Sequence, residues 1–217
     1  MTDVKKLITE HLDIWLTAET EKKSGRGRKS GSSNSIYGVQ KLRELILDLA
    51  VTGKLTNSLN SDTNADEILK KIADEKELLI NQGNLKKVKY SFPPKNNDFL
   101  LPSKWVKAYL GEVTLLITDG THHTPKYLDS GIPFISVKDV SGKTISFDDC
   151  KYISSEEHSE LIKCCKPEIN DILLCRIGTL GRATLIDVEK DFSIFVSLGL
   201  LKLSKIINYS KYLHLFL

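Results

Sequence analysis

The C-terminal half contains one segment that indicates its fold class most clearly, Asp171-Ile-Leu-Leu-Cys-Arg-Ile-Gly-Thr-Leu-Gly-Arg182. A short apolar run bounded by turn residues is typical of a buried strand, and its two glycines predict a tight turn. Arginine at such a turn can contact guanine or clamp a phosphate. The alternative is a plain hairpin in which one arginine pairs with Asp171 or Asp187. That pairing suits Arg176 slightly better, because Arg176 lies within the apolar run.

Similar runs surround this stretch and indicate a strand-rich half. Short apolar or alternating segments separated by Gly, Asp and Asn predict strands at Lys104–Leu110, Ile132–Val140, Ile169–Ile177, Ala183–Val188 and Ser193–Leu203. One helix is predicted at Glu156–Lys166, where Pro167 stops it.

The first half has a helical pattern instead. Apolar residues at helical spacing predict helices over Val4–Ala18, over Val39–Leu49 with Gly53 as its stop, and from an Asn64 cap to near Gly83. The stretch 91–98 contains two prolines and breaks any helix. The sequence therefore predicts an α+β chain, with a helical region over 1–90, a linker over 91–98 and a strand-rich domain over 99–217.

Composition and charge narrow the class of protein. The chain has 217 residues, 41% of them apolar, and a net charge of +3, which excludes wholesale disorder. Seven bases and no acid lie between Lys22 and Arg43. Because residues 24–35 lack apolar side chains, we expect a flexible basic linker over 22–36. We expect it to add non-specific affinity for phosphates through Arg26, Arg28 and Lys29.

The sequence offers no sign of a membrane or secreted protein. No apolar run approaches the roughly 18 residues of a membrane span, and the N-terminus does not resemble a signal peptide. We therefore expect a soluble cytoplasmic protein. The four cysteines, Cys150, Cys164, Cys165 and Cys175, are then expected to be reduced and buried as small apolar residues.

Motifs for catalysis are missing from the sequence. It contains no phosphate-binding glycine loop, no dinucleotide fingerprint and no hydrolase or metalloprotease signature. Phe92-Pro93-Pro94 lacks the polar and aromatic neighbours of an adenine methyltransferase motif. His122-His123 could join a cysteine at a metal, but paired ligand spacing is lacking. We therefore predict no catalytic residue and no metal site.

A polar loop is the strongest candidate binding site. Thr118-Asp-Gly-Thr-His-His-Thr-Pro-Lys-Tyr127 combines donors and acceptors of several kinds in ten residues. Such side chains can bond base edges or phosphates. The alternative is a surface turn whose Thr and Asp side chains satisfy only their own backbone. The candidate DNA-binding residues are Thr121, His122, His123, Thr124, Lys126 and Tyr127, with Lys138, Thr179 and Arg182 as secondary candidates.

Three segments together carry a family resemblance. Gly120–Tyr127, Gly131-Ile-Pro-Phe-Ile-Ser-Val-Lys-Asp-Val140 and Asp171–Arg182 resemble, in order and spacing, the target recognition domain of type I restriction–modification specificity subunits. Leu101–Val106 with Leu110–Glu112 resembles the usual entry into that domain. Lys41–Leu55 looks like the helix end that recurs in the conserved regions of those subunits.

The resemblance implies a non-catalytic subunit that reads double-stranded DNA. A whole specificity subunit carries two recognition domains, one for each half of a split site, and docks modification subunits that bind S-adenosylmethionine. Restriction subunits that use ATP and Mg²⁺ join the complex, so this chain is expected to need no cofactor of its own.

The length of the chain departs from the family, because the resemblance implies that these residues hold only the first recognition domain, and we expect that domain to be incomplete. The chain would be a fragment or a naturally truncated subunit. Alternatives are a half-reader that pairs with its own copy and an assembly piece that no longer reads sequence.

Overall fold

The computed structural model describes residues 4–18, 37–54, 64–94 and 105–217. The linker predicted over 22–36, with Arg26, Arg28 and Lys29, lies outside these described residues. The chain forms two compact units, one of residues 1–62 with 98–105 and one of residues 63–97 with 106–217. None of the described helices is both long and apolar enough to cross a membrane.

The described residues of the first unit form helices, as predicted. They are α1 (Val4–Glu10), α2 (Leu12–Thr17) and α3 (Tyr37–Val51). The single helix predicted over Val4–Ala18 is wrong in one respect, because His11 leaves the helical conformation with φ −118° and ψ 26° and splits it. After α3, Gly53 has φ +70° and the Lys54 amide bonds the Leu49 carbonyl at 2.8 Å, which ends the helix as predicted.

The second unit combines helices with two small sheets, which confirms the α+β class. Its helices are α4 (Ala65–Asn81), α5 (Ser155–Leu161) and α6 (Ser210–Phe216). Its strands are β1 (Leu116–Asp119), β2 (Ile132–Ile135), β3 (Lys151–Ile153), β4 (Ile172–Cys175), β5 (Ala183–Leu185), β6 (Ser193–Ile194) and β7 (Leu198–Lys202). A four-stranded antiparallel sheet has the order β1-β7-β4-β5, and a three-stranded sheet has the order β3-β2-β6.

The main core of this unit lies among side chains from both sheets. Ile135 and Ile194 from the second sheet cluster with Leu173, Leu198 and Leu200 from the first, and all five are buried. Strands β6 and β7 belong to different sheets although they are only a few residues apart. The run predicted as one strand over Ser193–Leu203 is therefore two strands, and the chain crosses from one sheet to the other between them.

Helix α4 belongs to the strand-rich unit. Its N-terminus is capped by Asn64, and Ile72 packs in one cluster with Leu85 and Leu115. The Lys76 ammonium donates to the carbonyls of Gly111 and Thr114, each at 3.2 Å. The sequence predicts a boundary at 91–98, whereas the folded chain groups 63–97 with the sheets because these long-range contacts join them.

Other element predictions need correction. Residues 105–109 form no strand, because the Tyr109 ring stacks on Phe92 at 4.7 Å and its amide bonds Glu112 in a turn. The strand predicted over Ile132–Val140 ends at Ile135, where the Asp139 carboxylate accepts the Ser136 amide at 2.8 Å and begins a short 3-10 turn, Val137–Asp139. The helix predicted at Glu156–Lys166 is the shorter α5, and β1, β3 and α6 were not predicted.

A buried carboxylate ties β4 to the C-terminal end of β7. Asp171 is fully buried, and its two oxygens accept the amides of Leu203 and Glu168, each at 3.0 Å. The ammonium of Lys202 lies 3.1 Å from Asp171 and 2.8 Å from the Glu168 carboxylate. Lys205 completes the network at 3.4 Å from Asp171.

This network predicts a loss of stability in acid. Burial alone would raise the pKa of Glu168, but hydrogen bonds from Lys202 and Lys166 outweigh it and lower the pKa to about 2. Because the folded pKa lies below the ordinary 4.5, the contribution of Glu168 is complete above about pH 4.5 and disappears towards pH 2. We expect the urea midpoint of Glu168→Gln to decrease less than that of wild type between about pH 4.5 and pH 2.

The control for this prediction is Glu160→Gln. The Glu160 carboxylate pairs with Lys163 at 2.6 Å but its side chain is 71% exposed, so the pair is worth little. We expect this variant to keep the wild-type pH profile. Identical profiles for Glu168→Gln and wild type would contradict the prediction.

Candidate nucleic-acid interface

Three connecting segments meet at one end of the four-stranded sheet. In the antiparallel register Asp119 at the end of β1 faces Gly199, and Cys175 at the end of β4 faces Leu198. The ends of β1 and β4 and the beginning of β7 therefore lie side by side. The first two residues of the predicted polar loop belong to β1, and its remainder, 120–127, leaves the sheet at this place. The turn 176–182 leaves the sheet here as well, and we call this place the loop end.

The second sheet brings the 3-10 turn to the same loop end. Ile135 pairs with Ile194 in parallel, and the Val137 amide donates to the Ser197 hydroxyl at 3.1 Å. Thr121 is fixed beside them, because its amide donates to the Ile194 carbonyl at 3.1 Å. Lys138 is therefore carried to the region that also holds the polar loop.

The two histidines of the loop are held by carboxylates on their Nε2 atoms. His122 Nε2 lies 3.1 Å from Asp119 Oδ2, and His123 Nε2 lies 2.9 Å from Glu157 Oε1 on α5. Because an ionised carboxylate only accepts, each Nε2 is the donor. His123 Nδ1 also contacts the Thr121 hydroxyl at 2.7 Å, so both of its ring nitrogens are occupied. His122 Nδ1 makes no hydrogen bond with any residue that the structure describes.

The remainder of the loop is open at its surface. Gly120 is pressed against the Ile194 carbonyl, leaving no room for a Cβ. Lys126 is exposed and makes no hydrogen bond or ion pair with any residue that the structure describes, and Thr124 is also exposed. Tyr127 is 42% exposed, and the centre of its ring lies 6.0 Å from the centre of the Phe134 ring. These side chains are therefore accessible to a ligand.

The secondary candidates differ in how much of their hydrogen-bonding capacity remains. The Lys138 ammonium donates to the Asp149 carbonyl at 3.1 Å. Arg182 donates through Nη1 to the Val140 carbonyl at 3.4 Å, and its aliphatic part packs against Gly142. Thr179 is exposed at the tip of the turn. Lys138 and Arg182 thus already donate hydrogen bonds to backbone carbonyls at the loop end, whereas the Thr179 side chain is exposed.

Arg176 pairs differently from the sequence interpretation. Its Nη1 bonds the carboxylate of Asp119, and neither Asp171 nor Asp187 is its partner. Asp171 precedes β4, at the opposite end of that strand. The sequence missed this pair because β1 was not predicted, so nothing placed Asp119 beside the end of β4. The sequence did indicate that Arg176 lies at the end of β4, because it comes just before the turn that contains Gly178.

All four cysteines are free thiols, and three of them are buried. Cys150, Cys165 and Cys175 are buried as predicted, whereas Cys164 is exposed, with the Lys86 ammonium 3.4 Å from its sulfur. Burial raises the pKa of Cys165 to about 12, so it remains a thiol. No group of three or more His, Cys, Asp or Glu side chains converges as metal ligands within the described parts of the chain.

The fold and the loop end define an α+β domain that presents exposed hydrogen-bonding side chains from loops fixed by a sheet. The sequence shows which family such a domain resembles. It is 44% identical over 116 residues to the type I restriction enzyme EcoEI specificity subunit of Escherichia coli, and 43% identical over 104 residues to the EcoAI specificity subunit of the same organism. The predicted resemblance is therefore confirmed.

The match covers only part of each protein. It includes 52% and 47% of this chain but 19% and 18% of the two relatives, so the chain spans far less than a whole specificity subunit. No protein-family model matches the chain.

Proposed function

We propose that this chain reads double-stranded DNA sequence through the loop end, as a recognition domain of a type I specificity subunit. The observation that carries the proposal is the convergence of the polar loop, the 3-10 turn and the Arg176–Arg182 turn at one end of a sheet. Exposed Thr, His, Lys and Arg side chains match the donor and acceptor pattern of base edges. Side chains fixed by a sheet can hold the register that base reading needs.

Each candidate is assigned a role from its surroundings. Base reading is assigned to Thr121, His122, Thr124 and Tyr127 with Thr179, while His123 holds the loop. Lys126 is assigned to a phosphate, because its ammonium is exposed and unengaged within the described ranges. Lys138 and Arg182 are placed next to the DNA backbone. Arg26, Arg28 and Lys29 add sequence-independent attraction.

The same proposal assigns partners to the chain and a role to each subunit of the complex. The chain reads one half of a split site, while modification subunits supply S-adenosylmethionine and restriction subunits supply ATP and Mg²⁺ chemistry. It is not an enzyme alone and holds no cofactor, and the complex acts in the cytoplasm. The exposed apolar side chains of α2 support the alternative role in assembly. Leu12, Ile14 and Leu16 are 46%, 57% and 48% exposed and offer a surface to which a modification subunit could bind.

Selection from randomised duplex DNA tests the proposal. The full chain is incubated with duplexes that carry a random central segment, alone and together with a modification subunit of a type I system, and bound DNA is sequenced. We expect enrichment of fixed base positions. Lys126→Ala should weaken binding to all sequences, whereas Lys71→Ala, an exposed lysine on α4, should change nothing. Binding of the modification subunit without enrichment would indicate the assembly role instead, and self-association with enrichment would indicate a paired half-reader.

A further inference from the structure

The backbone and the first part of the Arg176 side chain are fixed in place. The Arg176 amide donates to the Ser197 carbonyl at 2.9 Å, which extends the pairing of β4 with β7 by one residue. The Arg176 Cδ passes 3.6 Å from the position that a Cβ would take at Gly199. The side chain therefore lies over a strand position that lacks a side chain, and its course across the loop end is set by the sheet.

The guanidinium group is engaged on one side only. Its Nη1 bonds Asp119 and lies 3.4 Å from the Val196 carbonyl. Its Nε and Nη2 have no hydrogen-bond partner among the residues that the structure describes, and the side chain is 46% exposed. Nε and Nη2 form one planar edge with two parallel donors. The Arg176 guanidinium is therefore held in place and presents two parallel N–H donors, Nε and Nη2, at the loop end.

We propose that Arg176 reads a guanine through this free edge, with Asp119 as the residue that positions it. The inference rests on the proposed function and assigns one base contact within it. The O6 and N7 atoms of guanine lie side by side in the major groove and accept from such a fork.

Two features favour a base over a phosphate as the target of Arg176. The Asp119 carboxylate offsets the charge of the guanidinium and would repel a phosphate placed beside it. The neighbouring turn exposes Ile177 to 56% and Leu180 to 73%, and apolar side chains can contact bases, including the thymine methyl group, but gain nothing from phosphate oxygens.

Arg176→Lys tests the contact, because lysine keeps the charge and loses the fork. Binding of the full chain is measured by competition between the selected sequence and its single-base variants. We expect discrimination at one G·C pair to fall by ~5- to 150-fold while affinity for unrelated DNA stays the same. Arg176→Gln should move the preference at that position towards adenine, which glutamine reads. Arg43→Lys, an exposed arginine on α3, is the matched control.

Asp119→Asn tests the positioning role. We expect this variant to weaken discrimination at the same base pair as Arg176→Lys, and to have no further effect at that pair when both changes are combined. Because Asp119 also holds His122 Nε2 at 3.1 Å, we expect Asp119→Asn to weaken discrimination at the base pair that His122 reads as well. Additive effects of the double variant at the Arg176 base pair would show that Asp119 acts there independently of Arg176. A structural role alone would lower the melting temperature without singling out one base pair.

The outcomes separate this inference from the function on which it rests. Wild-type chain that enriches no sequence overturns both. Selective wild-type chain with unchanged selectivity in Arg176→Lys and Arg176→Gln overturns the inference alone. So does a uniform loss of affinity in Arg176→Gln, with a salt slope smaller by about 0.9, because that is the signature of a phosphate contact.

Discussion

Replacing Asp171 by alanine is expected to lower the free energy of unfolding by about 3–5 kcal/mol. The carboxylate is fully buried and accepts the Leu203 amide at 3.0 Å and the Lys202 ammonium at 3.1 Å. Alanine would leave a buried amide without its partner and a largely buried ammonium with less compensation. Urea unfolding of the full chain at pH 7 measures the effect as a shift of the midpoint.

Two further variants give this prediction its control. Asp187→Ala removes an exposed carboxylate from the same domain and should stay within about 0.5 kcal/mol of wild type. Asp171→Asn keeps an oxygen for the Leu203 amide but loses the charge facing Lys202, so an intermediate loss is expected. If Asp171→Ala costs no more than Asp187→Ala, the buried network does not hold β4 to β7.

Replacing His122 by alanine is expected to reduce discrimination by roughly 1–3 kcal/mol at one or two base pairs. Its Nε2 is held by Asp119 at 3.1 Å, which leaves Nδ1 as an acceptor on a side chain that is 72% exposed. An acceptor at that place can bond an exocyclic amino group of adenine or cytosine. Competition binding against single-base variants of the selected sequence measures the loss.

His123→Ala is the informative comparison, because His123 is engaged through both nitrogens. Its contacts with Thr121 and Glu157 at 2.7 and 2.9 Å hold the loop against α5. We expect this variant to weaken discrimination more broadly and to lower the melting temperature slightly. Unaltered base preference in both histidine variants, at unchanged stability, would move base reading away from the loop and towards the 176–182 turn.

Local sequence patterns predicted α3, α4 and the strand-rich character of the second half. The Asn64 cap, the Gly53 stop and the apolar run before Gly178 each act through a few neighbouring residues, so their effect is readable from the sequence. The elements that were missed are short. β3 has three residues and begins with an exposed lysine, and β1 has four half-buried residues, so neither has a clear alternation. Their pairing partners, rather than their own composition, make them strands.

Residue order alone predicts the α+β class, the position of the polar loop and the resemblance to type I specificity subunits. These depend on residue types and on spacings that are fixed along the chain. Three contacts are visible only in the folded chain. Asp119 holds Arg176, His123 is engaged through both ring nitrogens whereas His122 is engaged through one, and α4 packs with the sheets. Each of these contacts joins side chains brought together by strand register or helix packing. Asp119 and Arg176 meet because β7 lies between β1 and β4, an order that no local pattern contains.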